Sequence, residues 1–506
     1  MKDIKKTRIK KRLKSIDWDE FYNVFSSIID DKKILKDSIR PLYKQTTKEN
    51  IKFKDSNYSI IKNKILSEIP VGLWKITFSP LVKYLNNIKY NAHSLEKVPN
   101  YEYIFLISCS KSNVFNLLFP ILKKIDEKGI SSLVLTRKSV LKKRRNELRS
   151  LENTYFILEY EQFKSLSFYV YKNAKKEANE IFLKILKYLD DDSLIELLKT
   201  KKNLFKYHYK GEYIRKSFYK KLLSNSKAKT IIGHYIPESC IEASKENSTK
   251  TIMLQHGIQW GEETGKPFNV DEVIVWGEYW ENNFISNSSK KTKVLPLGNP
   301  RFDEIIDFKK NSLKKGFHQE YNLELNVPTI VFLSQPYGEF PDGTYKKTIK
   351  DLESVIKKMG KKVNFLIKLH PREDKEFYYE TFDESTTNSI KIIEKEDLFT
   401  IFKNSEIAIS IDSTALIEAT VFEIPIIKFL SDEMIRRRNI PPIYLENNWG
   451  RLVKNSEELL EVIEDILKNE DHMGRIVNEQ NEFKSKLLTN LGFANKKIVK
   501  HLLEIT

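Results

Sequence analysis

KKVNFLIKLHPRED (361–374) and SEIAISIDSTALIEATVFEIPIIKF (405–429) decide how this chain folds. Each holds a short apolar run that ends in a polar turn, the pattern of a buried strand. The first turn is His370-Pro371. The second is Asp412-Ser413-Thr414, followed by a helix opening at Ala415 with an acid at Glu418, and then by a strand begun by Pro425. Strand, turn, helix, strand is the grammar of a parallel sheet. It puts His370, Asp412, Ser413 and Thr414 at the carboxyl edge, where open α/β sheets bind ligands.

The chemistry predicted for that edge is phosphate binding. A helix beginning just after a strand presents unpaired N–H groups and the positive end of its dipole to an anion. Ser413 and Thr414 add hydroxyl donors, His370 donates to the same anion, and Pro371 restricts the backbone so that the imidazole faces the crevice. Glu418, one turn into the helix, is placed to accept from a ribose hydroxyl. The plainer reading makes Ser413 and Thr414 helix caps and leaves Glu418 on a solvated face. The spacing of all these residues together favours the site.

At these residues the chain resembles a known group. DSTALIEATVFEIPII resembles the sugar-nucleotide segment of GT-B glycosyltransferases: a small polar loop, Glu-Ala on a helix, then a Pro-led strand. KLHP with DST is similar to the motifs of bacterial sialyl- and polysialyltransferases. The wider set includes capsule Kdo transferases and CDP-glycerol glycerophosphotransferases. The resemblance runs over residues 225 to 470 or so. It implies an α/β GT-B fold: two Rossmann-like domains facing a cleft, with the nucleotide-activated donor on the later one. It also implies a donor contact for Ser334, at the end of VPTIVFLSQ, and a border to the nucleoside base for Glu394 to Asp397. No cofactor is implied beyond the activated sugar, which is the substrate.

Composition bounds the rest. At 506 residues the chain exceeds one ordinary core. A hydrophobic content of 40% suffices for globular folding, while 87 Lys and Arg against 69 Asp and Glu give a net charge of +18. That balance suits polyanions: an anionic membrane surface, an acidic polysaccharide, a phosphorylated donor or nucleic acid. With the resemblance, the expected partners are a nucleotide sugar donor and a glycan or lipid-linked acceptor, with no nucleic acid. Lys, Ile and Asn richness of the kind an AT-biased genome produces accounts for part of the excess. With only Cys109 and Cys240, neither a disulfide framework nor a cysteine zinc site is available. The N-terminus lacks an apolar signal core, and no run of about eighteen apolar residues occurs. The expectation is a cytoplasmic protein that can lie peripherally on the inner face of the cell membrane.

The predicted organisation is a helical region over 1–98, a first Rossmann-like acceptor domain over 99–305, a linker over 306–327, a nucleotide-donor domain over 328–470, and C-terminal helices over 471–506 that cross back. A basic helical insertion over 168–224 reads either as a cover for the acceptor crevice or as a solvated helical pair. A basic start, Lys5 to Lys14 beside Ile9, Leu13 and Ile16, suits anionic lipid.

LQHGIQWGEETG (254–265) carries the catalytic expectation. His256 ends an apolar strand, so its imidazole stands at the carboxyl edge of the first sheet with a pKa suited to a base. Gly257 allows close backbone approach. Glu263, with Glu262, is the rival base. In CDP-glycerol glycerophosphotransferases a similar His-Gly pair follows a strand, but Trp precedes it where this chain has Gln255. The acidic motif of sialyltransferases is missing at the matching place. Gly298 and Pro300, in LPLGNPRFDEI, fix the turn that closes the first domain, with Asp303 beginning a helix. No metal is expected, since Asp190 to Asp192 match an Asp-x-Asp motif only formally.

The function these readings support is a metal-independent glycosyltransferase that moves a sugar from a CMP- or UDP-type donor to a growing surface polysaccharide or glycan. The alternatives are a polyol-phosphate transferase of CDP-glycerol type, a UDP-sugar 2-epimerase, and a non-catalytic protein that binds polyanion or membrane.

Overall fold

A computed structural model describes residues 100–110, 112–158, 166–188, 192–258, 269–286, 291–311, 316–337, 340, 343–437 and 440–505. The N-terminal region, its basic cluster, Glu262 and Glu263 lie outside the described residues.

Two parallel sheets carry the fold. The first is built from β1 (Tyr103–Ile107), β2 (Ser132–Thr136), β3 (Thr154–Leu158), β4 (Thr230–Gly233), β5 (Lys250–Leu254), β6 (Glu272–Ile274) and β7 (Lys293–Leu295), in the order β3-β2-β1-β4-β5-β6-β7. The second comprises β8 (Thr329–Leu333), β9 (Asn364–Lys368), β10 (Ile390–Ile393), β11 (Ile407–Ser410), β12 (Ile426–Phe429) and β13 (Arg451–Val453), in the order β10-β9-β8-β11-β12-β13. Parallel strands need crossover helices, which cover both faces, so the strands read as unbroken apolar runs. YIFLI in β1 and TIVFL in β8 are buried at every position. Strand order reverses between β1 and β4 and between β8 and β11, which opens a crevice at the carboxyl edge of each sheet.

The helices that bear on function are α1 (Ser112–Asp126), α2 (Phe168–Tyr188), α3 (Lys202–Ser226), α4 (Glu238–Glu246), α5 (Glu278–Ser286), α6 (Pro300–Asn311), α7 (Thr344–Met359), α8 (Ala415–Val421), α9 (Ser456–Lys468), α10 (Glu470–Leu487) and α11 (Ala494–Glu504). The basic insertion is packed: α3 lies along both α2 and α4. Its Lys216 and Lys220 pair Glu242 and Glu246 of α4 at 2.6 and 2.7 Å. The stretch expected as a linker begins as helix, because Ile305 and Phe308 keep helical spacing and α6 runs to Asn311.

The C-terminal helices return to the first lobe. Thr489 N–H donates to the Trp276 carbonyl at 2.8 Å and the Trp280 indole to the Leu487 carbonyl at 3.0 Å. His501 meets Glu272 at 2.7 Å, and the Tyr103 hydroxyl donates to the Leu502 carbonyl at 3.0 Å. Gly298, at φ +96°, makes this passage possible, since a Cβ there would sit 2.3 Å from the Thr489 oxygen. The helix after Gly298 starts at Pro300, three residues earlier than expected. Asp303 instead caps a different helix, accepting from Ala494 N and Asn495 N at 3.2 and 2.8 Å at the start of α11.

The two lobes meet through segments that follow strand ends. Arg301, after β7, reaches Glu418, after β11, and the Tyr279 hydroxyl, after β6, donates to Glu446, after β12, at 2.7 Å. Lys309 donates to the Val421 carbonyl at 2.8 Å, and Phe308 packs on Phe399 and Phe422. Because the joining elements come from carboxyl ends on both sides, the two carboxyl edges face one another.

Candidate active site

In the second lobe the site residues come from three adjacent strands. His370 follows β9, Ser334 and Gln335 follow β8, and Asp412 to Thr414 follow β11. Neighbouring strands lie about 4.8 Å apart, so His370 and Ser413 project from strands about 10 Å apart, both half-buried at the switch point. Gln335 fastens the middle to one side: its amide donates to the Asp412 carboxylate, and its oxygen accepts from Asp412 N at 3.3 Å. Ser334 fastens the other, accepting from His370 N at 2.8 Å and donating to Glu373. Its hydroxyl therefore builds the His-Pro turn instead of standing free for a donor. Pro371 is exposed in that turn.

Arg372 N–H donates to His370 Nδ1 at 3.1 Å. A ring nitrogen that accepts cannot carry the proton, so the neutral imidazole carries it on Nε2. Ser413 accepts from Ala415 N at 3.3 Å as α8 begins, while Thr414 takes the cap position with no side-chain cap bond. Buried Tyr444 lies beside Asp412, and burial pushes its phenol well above the usual range.

Glu418 differs from the expectation of an open ribose acceptor. It is 2% exposed, and its Oε1 takes Arg301 Nη2 at 2.6 Å. Oε2 has no hydrogen-bond partner among the described residues. Burial raises its pKa and the Arg301 charge opposes that rise. Glu396 and Asp397, expected beside the base, hold the Tyr321 hydroxyl at 3.0 Å and cap the helix at Leu398–Lys403 respectively.

In the first lobe His256 ends β5 and His234 ends the neighbouring strand β4, with ring centroids 5.2 Å apart, edge to face. Burial pushes both imidazoles down to about 4, and for His234 the neighbouring His256 adds to the lowering. At neutral pH both are uncharged, the form a general base requires, but burial makes His256 a weaker base than the imidazole expected from the sequence. His234 was legible only as the end of KTIIGHY; its signal is the same Gly-His pairing at a strand end that marks QHG, read in reverse order. Gln255 is fully buried, and its carbonyl and side-chain oxygens accept from the indole and backbone N–H of Trp276 at 2.7 and 3.0 Å. At Gly257 a Cβ would meet nothing within 4 Å, so no close approach among the described residues demands glycine there. The turn after β1 is pinned by Arg144, which donates twice to the Ser110 carbonyl at 3.2 and 3.1 Å.

A hollow of about 450 Å³ lined by Lys227, Lys229 and Lys250 lies at the opposite, amino edge of the first sheet and holds none of these residues. Among the described residues no cluster of His, Cys, Asp and Glu is arranged to hold a metal ion, and no helix is long and apolar enough to cross a membrane.

A family model described as CDP-Glycerol:Poly(glycerophosphate) glycerophosphotransferase matches residues 155–490. No curated protein matches the chain. Among solved structures it is similar to a UDP-N-acetylglucosamine 2-epimerase, at 12% identity over 80% of this chain and 96% of that one, with a TM-score of 0.52. The S. aureus MnaA–UDP structure is similar at 13% identity, 80% and 98% coverage and a TM-score of 0.51. The UDP-GlcNAc 2-epimerase of Neisseria meningitidis follows at 15% identity, 79% and 99% coverage and 0.50. At such identities the likeness speaks for the fold, and the fold is GT-B: two Rossmann-like lobes across a cleft.

Proposed function

The chain belongs to the CDP-glycerol:poly(glycerophosphate) glycerophosphotransferase family, and from that membership we propose that it transfers a polyol phosphate, of the glycerol phosphate type, from a cytidine-diphosphate-activated donor to a hydroxyl on a surface polymer. The family match carries this choice over sugar transfer. The geometry supports a nucleotide-activated donor in either case, because the phosphate-binding groups gather at the switch point of the second sheet.

The donor pyrophosphate lies against His370 Nε2–H, the hydroxyls of Ser413 and Thr414, and the start of α8. The acceptor hydroxyl approaches from the first lobe, where neutral His256 takes its proton, with His234 packed against the ring to hold it. The acceptor oxygen forms a bond to the phosphorus that bears the polyol. The bond from that phosphorus to the bridging oxygen breaks, and the nucleoside monophosphate leaves with the electron pair. Donors aimed at that departing oxygen stabilise charge as it develops. Glu418 Oε2 is the carboxylate oxygen left for a ribose hydroxyl, and reaching it requires α6 and α8 to part. The acceptor is a glycan or lipid-linked polymer at the inner face of the membrane, a location that the net charge of +18 favours.

Sugar transfer is the second reading. It draws on Gln255, which stands where the glycerophosphotransferases that this chain resembles have Trp. Phosphorus NMR of the product separates the two, since only polyol-phosphate transfer leaves a phosphodiester in the polymer. Thermal melting with CMP, CDP, UDP and GDP tests the shared premise; no stabilisation by any of them would remove it.

A further inference from the structure

We propose that Glu373 is a positioning residue of the donor site: its ionised carboxylate holds the His370 turn in the geometry that binds donor phosphate, and donor affinity follows its protonation state. The proposal rests on the donor reading above and assigns a role to a side chain that the sequence shows only as the second residue after a His-Pro pair.

Four polar groups converge on this one carboxyl. Ser334 donates its hydroxyl and His370 its N–H at 3.4 Å, and of the two phenols, Tyr345 at 3.2 Å and Tyr378 at 3.3 Å, one donates to the carboxyl while the other donates to its neighbour's oxygen. Glu373 N–H in turn donates to the His370 carbonyl at 2.9 Å, so the turn is closed from both sides. The two phenols are almost wholly buried, at 1% and 0% exposure, with their oxygens 2.8 Å apart. Tyr345 also accepts from Gln335 N at 3.1 Å, and Gln335 grips Asp412. The carboxyl is therefore tied both to the His-Pro turn and, through one tyrosine, to the loop that precedes α8.

Donors on every side suit a carboxylate, which only accepts. A neutral carboxyl brings a proton of its own. Ser334 already receives the His370 N–H, so a proton arriving from Glu373 on that side would reverse the Ser334–Glu373 bond and turn the serine's own hydrogen away from the carboxyl that now holds it. The groups facing the carboxyl from the surrounding elements are Ser334, Tyr345, Tyr378 and the His370 N–H, none of them a cation. Burial consequently outweighs the hydrogen bonds and pushes the group up to about 7. The change of state falls where cells work, and it falls in the turn that presents His370.

The test uses the full chain and CDP-glycerol, a pyrophosphate diester with no proton to lose near neutrality. If only the ionised form binds, calorimetry finds affinity about tenfold weaker at pH 6 than at pH 8, following the fraction of competent protein. Glu373→Gln flattens this profile. Tyr378→Phe removes one of the two phenols that face the charged form and moves the midpoint to higher pH, a displacement that a merely structural tyrosine would not produce. The same inflection surviving in Glu373→Gln, or an unmoved midpoint in Tyr378→Phe, overturns the proposal. Melting without nucleotide is the second arm. The folded carboxyl holds its proton up to about pH 7 while the unfolded one loses it near 4.5, so Glu373→Gln gains melting temperature relative to the parent chain as pH rises from 5 to 7. Absence of that gain overturns the titration. CDP-glycerol failing to bind at every pH while the gain is present overturns the donor reading instead.

Discussion

Arg301 of the first lobe and Glu418 of the second form an ion pair across the interface, Nη2 to Oε1 at 2.6 Å, with the carboxylate side chain 3% exposed. The pair joins the element that closes one sheet to the helix that follows the Asp412–Thr414 loop of the other. Removing one partner of a buried pair leaves an uncompensated charge, whereas replacing both with apolar groups is often tolerated. Arg301→Leu is expected to cost about 3–5 kcal/mol in urea unfolding. Arg301→Leu combined with Glu418→Leu should recover most of that, and a double variant as unstable as the single one would show that the pair is not the source.

The same pair bears on the donor. Arg301→Lys preserves charge but not the geometry that turns Glu418 Oε2 away from Arg301, so it should weaken nucleotide binding more than it lowers melting temperature. Calorimetry alongside melting checks this; equal losses in both would make the residue purely structural.

His370 and His256 should separate binding from chemistry. His370→Ala removes the donor proposed for the departing phosphate and is expected to weaken nucleotide binding as well as lower kcat by roughly 10²–10³. His256→Asn removes the base and should lower kcat by roughly 10²–10⁴ while leaving nucleotide affinity near the parent value. Steady-state kinetics with a nucleotide-binding assay reads both, and unchanged turnover in His256→Asn would transfer the base role elsewhere.

The paired imidazoles predict acid sensitivity. Folded His234 and His256 take up protons only near pH 4, whereas the unfolded chain protonates them near 6.5, so stability falls as pH drops through that window. His234→Gln with His256→Gln should flatten the decline of melting temperature between pH 6.5 and 4.5; an unchanged slope would place the sensitivity in other groups.

The crossing tail should loosen locally. Asp303→Ala deprives α11 of its cap, a loss of roughly 0.5–2 kcal/mol. Gly298→Ala adds a Cβ 2.3 Å from the Thr489 oxygen at a φ of +96° and should cost more. Hydrogen exchange over residues 488–505 is expected to accelerate in both variants before that of β8 or β11 does.

Much of the fold was legible because parallel strands buried on both faces write themselves as apolar runs. YEYIFLISCS (101–110) reads as a strand and VFNLLFPILKKIDEKG (114–129) as a helix, and β1 and α1 occupy 103–107 and 112–126. The candidate site was legible where a turn directly follows a strand, as at His370 and Asp412 to Thr414, which the fold brings to one sheet edge. It was not legible where a role depends on a remote partner. Glu373 looks like any acid after a His-Pro pair until Ser334, Tyr345 and Tyr378 close on it. His234 passes for the end of a strand until β5 lies beside β4.

The sequence by itself determined two parallel sheets, the carboxyl edge on which the chemistry gathers, and the residue types on offer there, since strand periodicity and turn chemistry are local properties. Only the tertiary structure decided which of those side chains are free to act. Ser334 is spent on its turn, Glu418 has one oxygen taken by Arg301, and His256 has acquired a histidine neighbour. The reason is physical: a buried polar group must find a partner, and the partners found lie 36, 39, 77 or more than 100 residues away in the chain.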